Sequence, residues 1–269
     1  MKKIVLLPNK ETTNKIFSEE KLKELSTIGE VIINNDTDNP SHDRVKELIK
    51  GANIVITSWG CPNLDSDILN AAPDLELVLH GAGSVKGIVS KELWDKGVRV
   101  SGSALVLGKG VAETALGFTI TSLKYMWNLS ENLRNGGWGE DRDKIREVYD
   151  IKVGVIGAGF AGRHYIKLMQ NFDVEVLLYD PFVSEGKASE MGAKKVELDE
   201  LLKTSDVVSI HAASVPATYK MINKEKLKLM KDDAILINTA RGAIIDEDDL
   251  LEELKKGRLF ACLDVTDPE

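Results

Sequence analysis

The strongest constraint on this chain is a glycine-rich turn held between a short apolar run and a helical pattern, VGVIGAGFAGRH. Within it, Gly157-Ala158-Gly159-Phe160-Ala161-Gly162 fits the spacing G-x-G-x-x-G. Alone, such a match is weak. Here it follows a buried-looking strand and opens a helical pattern, Gly162–Gln170, and the next apolar run ends in Leu177-Leu178-Tyr179-Asp180. An acid at the end of the second strand, about 20 residues on, completes the fingerprint of a dinucleotide site. The chemistry explains the residue types. Gly157 permits the tight turn, Gly159 lets the backbone approach a pyrophosphate, and Gly162 lets the helix pack on the strand. Phe160 and Ala161 lie at the helix start, where free N–H groups and the positive end of the dipole favour phosphate. Asp180 would accept hydrogen bonds from ribose hydroxyls and repel a 2′-phosphate, favouring NAD over NADP. The alternative is a structural glycine turn without a ligand.

Strand-length apolar runs alternate with helical patterns along the rest of the chain. Ile4–Leu7, Val31–Ile33, Ile54–Thr57, Leu75–Leu79 and Val98–Val100 read as strands. Ser18–Thr27, His42–Lys50, Asp65–Ala72 and Lys91–Lys96 read as the helices between them. Such alternation implies βαβ units and a parallel sheet, so residues 1–102 are expected to form one doubly wound, flavodoxin-like domain of roughly five strands. A second series, Lys152–Ile156, Glu175–Tyr179, Val207–His211, Ala234–Asn238 and Phe260–Val265, marks a Rossmann domain within 103–269. The helix Asp246–Lys256 has an acidic start and Gly257 just past its end, as helix termini prefer. Between the two series, Gly110–Arg134 reads as one long apolar helix ending at Asn135-Gly136-Gly137. It carries Leu116, Phe118, Ile120, Leu123, Tyr125, Met126 and Trp127. Two readings stay open: a helix buried in its own domain, or one that also packs against a second subunit as a homodimer interface.

Composition narrows the function classes. The 269 residues are 43% apolar and 29% charged, ordinary for a globular protein, with a formal net charge of -8. An acidic surface repels phosphate backbones, which argues against a nucleic-acid partner. No apolar run approaches the length of a membrane span. The apolar part of MKKIVLLPNKE is too short for an export signal. Cys61 and Cys262 lie far apart in no metal-ligand spacing, so the expectation is no metal and a reducing cytoplasm.

A second signature is Ile237-Asn238-Thr239-Ala240-Arg241-Gly242. An arginine at the carboxyl end of a parallel strand sits where open α/β sheets bind ligands. Its guanidinium could hold a substrate carboxylate by two prongs, or it could be half of a surface salt bridge. At this point the chain resembles the D-isomer-specific 2-hydroxyacid dehydrogenases. The resemblance is carried by VGVIGAGFAGRH, LLYDP, SDVVSIHAASVPAT, ILINTARGAIIDEDDLLEELKKG and FACLDVTDPE, in family order and spacing. Weaker likeness in LVLHGAGSVKG and GKGVAETALGFTI extends it over most of the chain. It implies an NAD-dependent enzyme moving a hydride between nicotinamide and a small D-2-hydroxy or 2-keto acid, in a cleft between two domains. By the same resemblance Arg241 orients the substrate carboxylate and carbonyl, and Glu269 supports the catalytic histidine. Asp264 lies near the nicotinamide carboxamide, and His211 and Thr239 line the cofactor groove. The Ala82 and Gly83 amides receive the substrate carboxylate, and Trp59 lines the substrate pocket.

Two departures stand out. The family usually has proline two residues after the histidine at 211, where this chain has Ala213. The family's acid/base histidine lies beyond the glutamate matched by Glu269, so the expectation is a chain truncated before that histidine and before the last strand of its cofactor domain. The other histidines are weak substitutes: His42 as a solvated residue, His80 as structural, His164 as facing cofactor or solvent, and His211 as a cofactor contact. The rival readings are a formate, phosphoglycerate or phosphonate dehydrogenase on the same scaffold, an NAD(H)-sensing non-catalytic protein, and an impaired fragment.

Overall fold

A computed structural model of the protein describes residues 1–139 and 141–268. They divide into two compact units, Met1–Leu107 and the chain from Gly108 onward. The division falls a few residues later than the expected boundary at 102, inside a helix.

The first unit holds β1 (Lys2–Leu6), β2 (Gly29–Ile33), β3 (Ile54–Thr57), β4 (Leu77–His80) and β5 (Arg99–Gly102). They lie in the order β2-β1-β3-β4-β5, all parallel. This is the flavodoxin-like order, and it reverses direction between β1 and β3. Alternate residues of each strand serve opposite faces. Val5, Val55 and Val78 pack with Ile68 and Leu93 on one side, and Ile4, Leu6 and Ile56 with Leu22 and Leu25 on the other. Helices α1 (Lys10–Ile16), α2 (Glu19–Ile28), α3 (His42–Leu48), α4 (Ser66–Asn70) and α5 (Lys91–Asp95) cover the sheet. Asn9, Ser18, Ser41, Asp65 and Ser90 cap them, each side chain accepting from a first-turn amide. The sequence pattern had no place for α1, because its KETTNKI segment buries only Thr13 and shows no apolar stripe.

The second unit begins within α6 (Ala104–Leu123), followed by α7 (Met126–Arg134). The expected single helix over 110–134 is therefore corrected to two. Tyr125 takes a left-handed conformation at φ 53 between them. Its ring leaves the helical path to pack edge-on against Phe260, with centroids 5.6 Å apart. The helix also starts at Ala104, adding Leu105, Val106 and Leu107, so α6 is long and apolar enough to cross a membrane by length and composition alone. The expectation that no segment reaches that length is thereby corrected.

The second sheet contains β6 (Tyr149–Ile156), β7 (Asp173–Tyr179), β8 (Lys194–Lys195), β9 (Val207–Ile210), β10 (Ala234–Asn238) and β11 (Leu259–Leu263). Their order is β11-β10-β9-β6-β7-β8, all parallel. Numbered from β6, this is the Rossmann order, reversing between β6 and β9. Helices α8 (Phe160–Met169), α9 (Glu185–Glu190), α10 (Leu198–Thr204), α11 (Lys224–Leu229) and α12 (Glu247–Lys255) complete the unit. One face of the sheet packs Val153, Val155 and Leu178 on Ala112, Tyr165 and Ile166, and the other packs Ile156 and Val208 on Leu201 and Leu227.

Candidate dinucleotide site

The carboxyl ends of β6 and β9 meet where the strand order reverses, and the glycine turn leaves β6 there. Gly157 has φ +93, and a Cβ on it would fall 2.7 Å from the Ala212 backbone. A Cβ on Gly162 would fall 2.0 Å from the Gly157 carbonyl oxygen. The fold itself demands these two glycines. Gly159 differs: its φ is -69, open to any residue, and a Cβ there would meet nothing within 4 Å. The protein's own packing therefore does not require a glycine here. Gly159 is also the residue before α8, and no side chain caps that helix. The first amides of α8, from Phe160 and Ala161 onward, are left to a ligand or solvent, at the positive end of the dipole.

Asp180 ends β7 beside this turn. One carboxylate oxygen accepts the Ala158 amide and the other the Phe182 amide, both at 2.8 Å. These bonds aim the carboxylate while leaving each oxygen a free lone pair. A cavity of about 510 Å³ is lined by Gly157, Gly159, Asp180, Phe182, His211 and Val215. His211 follows β9, is 8% exposed and hydrogen-bonds Ser209 Oγ through Nε2 at 2.9 Å. Burial pushes its pKa down to about 4, so the ring is neutral. Two buried polar atoms at these strand ends, His211 Nδ1 and Thr239 Oγ1, have no hydrogen-bond partner among the described residues. Uncapped amides, a turn open at Gly159, an anchored acid and unspent buried polar atoms together fit a ligand with phosphates and hydroxyls.

Arg241 follows β10. Asn238 shapes its turn, accepting from the Ala240 amide at 3.0 Å and donating to the Arg241 carbonyl at 2.9 Å. The exposed guanidinium donates to the Ala240 carbonyl. No ion pair involves it among the described residues, so the salt-bridge reading has no partner here. The chain after β11 packs on this turn. A Cβ on Gly242 would fall 2.1 Å from the Thr266 carbonyl carbon, and the Asp264 amide donates to the Asn238 carbonyl at 3.0 Å. Asp264 is exposed beside it. Asn238 and Gly242 were not singled out in the sequence, although an Asn and a Gly flanking the arginine are turn signals. Glu269 lies outside the described residues.

Within the first unit, Ala82 and Gly83 follow β4. Their loop is tied down by Gly81 N donating to the Thr57 carbonyl at 2.8 Å and by Ser103 N donating to the His80 and Ala82 carbonyls at 3.0 and 3.1 Å. The buried His80 ring bonds Thr57 Oγ1 through Nδ1 at 2.9 Å, a structural role, and burial lowers its pKa. The Ala82 and Gly83 amides make no hydrogen bond among the described residues. Trp59, just past β3, is 58% exposed. His42, expected to be solvated, is only half exposed and bonds Asp65, the cap of α4, at 2.9 Å. His164 is half-buried and its Nε2 has no partner among the described residues. No group of metal-ligating side chains exists among the described residues.

Comparison with known proteins matches residues 116–269 to the family described as D-isomer specific 2-hydroxyacid dehydrogenase, NAD binding domain. A D-3-phosphoglycerate dehydrogenase from Methanocaldococcus jannaschii is 30% identical over 93% of this chain, which spans 48% of that protein. A glyoxylate reductase from Korarchaeum cryptofilum is 30% identical over 86% of this chain, which spans 70% of it. Among solved structures, a D-lactate dehydrogenase from Treponema pallidum has a TM-score of 0.81 at 24% identity, covering 99% of this chain and 79% of the other. That likeness concerns the fold.

Proposed function

The chain belongs to the D-isomer-specific 2-hydroxyacid dehydrogenase family, and from that premise we propose that it is an NAD-dependent oxidoreductase of a small D-2-hydroxy or 2-keto acid. The observation that carries the reading is Gly159, a glycine its own fold does not require, at the open mouth of an uncapped helix beside an anchored acid.

NAD, when bound, supplies or accepts the hydride. The α8 amides and the Gly157–Gly162 turn hold the pyrophosphate. Asp180 takes the ribose hydroxyls and disfavours a 2′-phosphate. His211 and Thr239 offer their unspent Nδ1 and Oγ1 to the groove, and Asp264 the carboxamide end. The guanidinium of Arg241, which pairs with no carboxylate among the described residues, holds the substrate carboxylate and polarises the adjacent carbonyl. In the first unit, the unpaired amides of Ala82 and Gly83 suit a carboxylate on their own account, and Trp59 offers an indole face to a small or flat substituent. His211 is unsuited to proton transfer near neutral pH, because burial keeps it uncharged. Support of a proton-donating histidine is assigned to Glu269.

The proposal extends to a homodimer joined through the exposed apolar residues of α6 and α7, with no nucleic-acid or membrane partner and a cytoplasmic location. That reading of the location rests on two cysteines, Cys61 and Cys262, that form no disulfide among the described residues.

The test is NADH oxidation over a panel of 2-keto acids, with Arg241→Lys alongside. An ammonium cannot make the two-pronged contact, so kcat/KM should fall roughly a hundredfold with unchanged melting. Equal kinetics in wild type and variant would remove Arg241 from the mechanism. NADH binding with no keto acid consumed would leave a cofactor-binding protein without this activity.

A further inference from the structure

The phosphate-facing helix α8 meets α6 at two places, Gly108 and Thr119, both on one side of α6. Gly108, Ala112, Ala115 and Thr119 are the buried positions there, with Leu123 a turn further on. Their spacing puts them on one side of α6. A Cβ on Gly108 would fall 3.0 Å from the Ala161 amide nitrogen and 3.1 Å from Phe160 Cβ. The backbone of α6 therefore runs directly against the first turn of α8.

Farther along the same crossing, a single polar pair interrupts an apolar core. Tyr165 is fully buried, and its hydroxyl lies 2.6 Å from Thr119 Oγ1. Thr119 donates its own proton to the Ala115 carbonyl at 2.8 Å, so Tyr165 is the donor to Thr119. The Tyr165 ring also lies 5.1 Å from the His211 ring. His211 in turn backs the glycine turn: a Cβ on Gly162 would fall 3.2 Å from His211 Cβ, and one on Gly157 3.0 Å from the His211 carbonyl carbon. Tyr165 thus touches both supports of the dinucleotide seat, α6 through its hydroxyl and His211 through its ring. Phe and Val would fill the same space without the cost of burying two hydroxyls. A hydrogen-bonded pair does what an apolar pair cannot. It is satisfied at one height of α8 on α6 and broken by a slide in either direction.

We propose that Tyr165 and Thr119 are positioning residues for the dinucleotide, their buried hydrogen bond setting the height at which the uncapped amides of α8 and the glycine turn receive the pyrophosphate. This rests on the dinucleotide reading of that turn. The pair acts through α8 and His211 and touches no ligand.

The test titrates NADH, ADP-ribose and adenosine against wild type, Tyr165→Phe, Thr119→Val, Thr119→Ser and Asp180→Ala, with a thermal melt of each. Tyr165→Phe should bind NADH and ADP-ribose more weakly, by up to about fivefold, the bound set by the worth of one buried hydrogen bond, and leave adenosine unchanged because adenosine carries no phosphate. Thr119→Val should lose more, since it strands the Tyr165 donor without an acceptor. Thr119→Ser keeps the hydroxyl and should bind as wild type. If Thr119→Val does not fold, Tyr165→Phe decides. Lower melting with wild-type NADH and ADP-ribose affinity in Tyr165→Phe, while Asp180→Ala binds weakly, overturns the proposal and leaves the dinucleotide reading standing. So does an equal loss for adenosine. Unaltered NADH binding by Asp180→Ala overturns both.

Discussion

Three glycines of one motif have three different reasons to be glycine. Gly157 needs its positive φ, and Gly162 needs the missing Cβ because a carbonyl occupies that space. Gly159 needs neither. Gly162→Ala should therefore cost about 3 kcal/mol or more in urea unfolding, as overpacking against backbone does. Gly159→Ala should leave unfolding unchanged and weaken NADH binding about tenfold or more, because its new methyl projects into the ligand's side of the turn. If Gly159→Ala unfolds as easily as Gly162→Ala, the turn is structural throughout. His211 provides a second residue-level test. Its folded-state pKa of about 4 lies below the ordinary 6.5, so between those values the unfolded chain binds a proton that the folded chain refuses. The stability held by the neutral ring is complete above about pH 6.5 and drains as the pH falls towards 4, by about 3 kcal/mol at most. Subtracting the His211→Gln unfolding curve from the wild-type curve should isolate that slope. A flat difference would mean the ring is solvated.

At the scale of elements, helix starts were well marked in the sequence. Ser18, Asp65 and Asp246 each sit at the edge of an apolar-periodic segment and cap it. Elements without a stripe or a cap signal were not legible: α1 buries one threonine, and β8 is two lysines paired along β7. The break between α6 and α7 was hidden for another reason. Tyr125 is apolar and fits the helical pattern, and only its contact with Phe260, far along the chain, pulls it into the left-handed region. Two effects compete in Tyr125→Gly. Glycine relieves about 1 kcal/mol of backbone strain, but losing the buried ring costs roughly 3–5 kcal/mol. Packing should win, leaving the variant about 2–4 kcal/mol less stable by chemical denaturation. A stabilised variant would show that strain dominates at the break.

At the scale of the molecule, each unit has its own sheet with apolar clusters on both faces, as a doubly wound domain requires. Part of what remains uncovered lies on α6, on α7 and just after it: Leu105, Val106, Met126, Trp127 and Leu133 are more than half exposed, and Trp138 is 77% exposed. Exposed large apolar side chains are what an association face would cover. If the chain pairs through this surface as proposed, the wild type should scatter light as a dimer and a double variant, Trp127→Glu with Leu133→Glu, as a monomer, with NADH affinity retained. The same mass for both proteins would reject this interface.

The sequence by itself determined the parallel α/β architecture, the two βαβ series and the dinucleotide turn, because each is written in neighbours along the chain: apolar runs, cap residues, and glycines and an acid at set spacing. Only the tertiary structure decided that packing requires Gly157 and Gly162 but not Gly159, that Arg241 has no ionic partner among the described residues, that Asn238 and Gly242 shape its turn, and that the long apolar segment is two helices, the first meeting α8 at Gly108 and Thr119. Those outcomes depend on atoms brought together from distant strands and helices. Excluded volume and hydrogen-bond satisfaction act on distance in space, which no local pattern records.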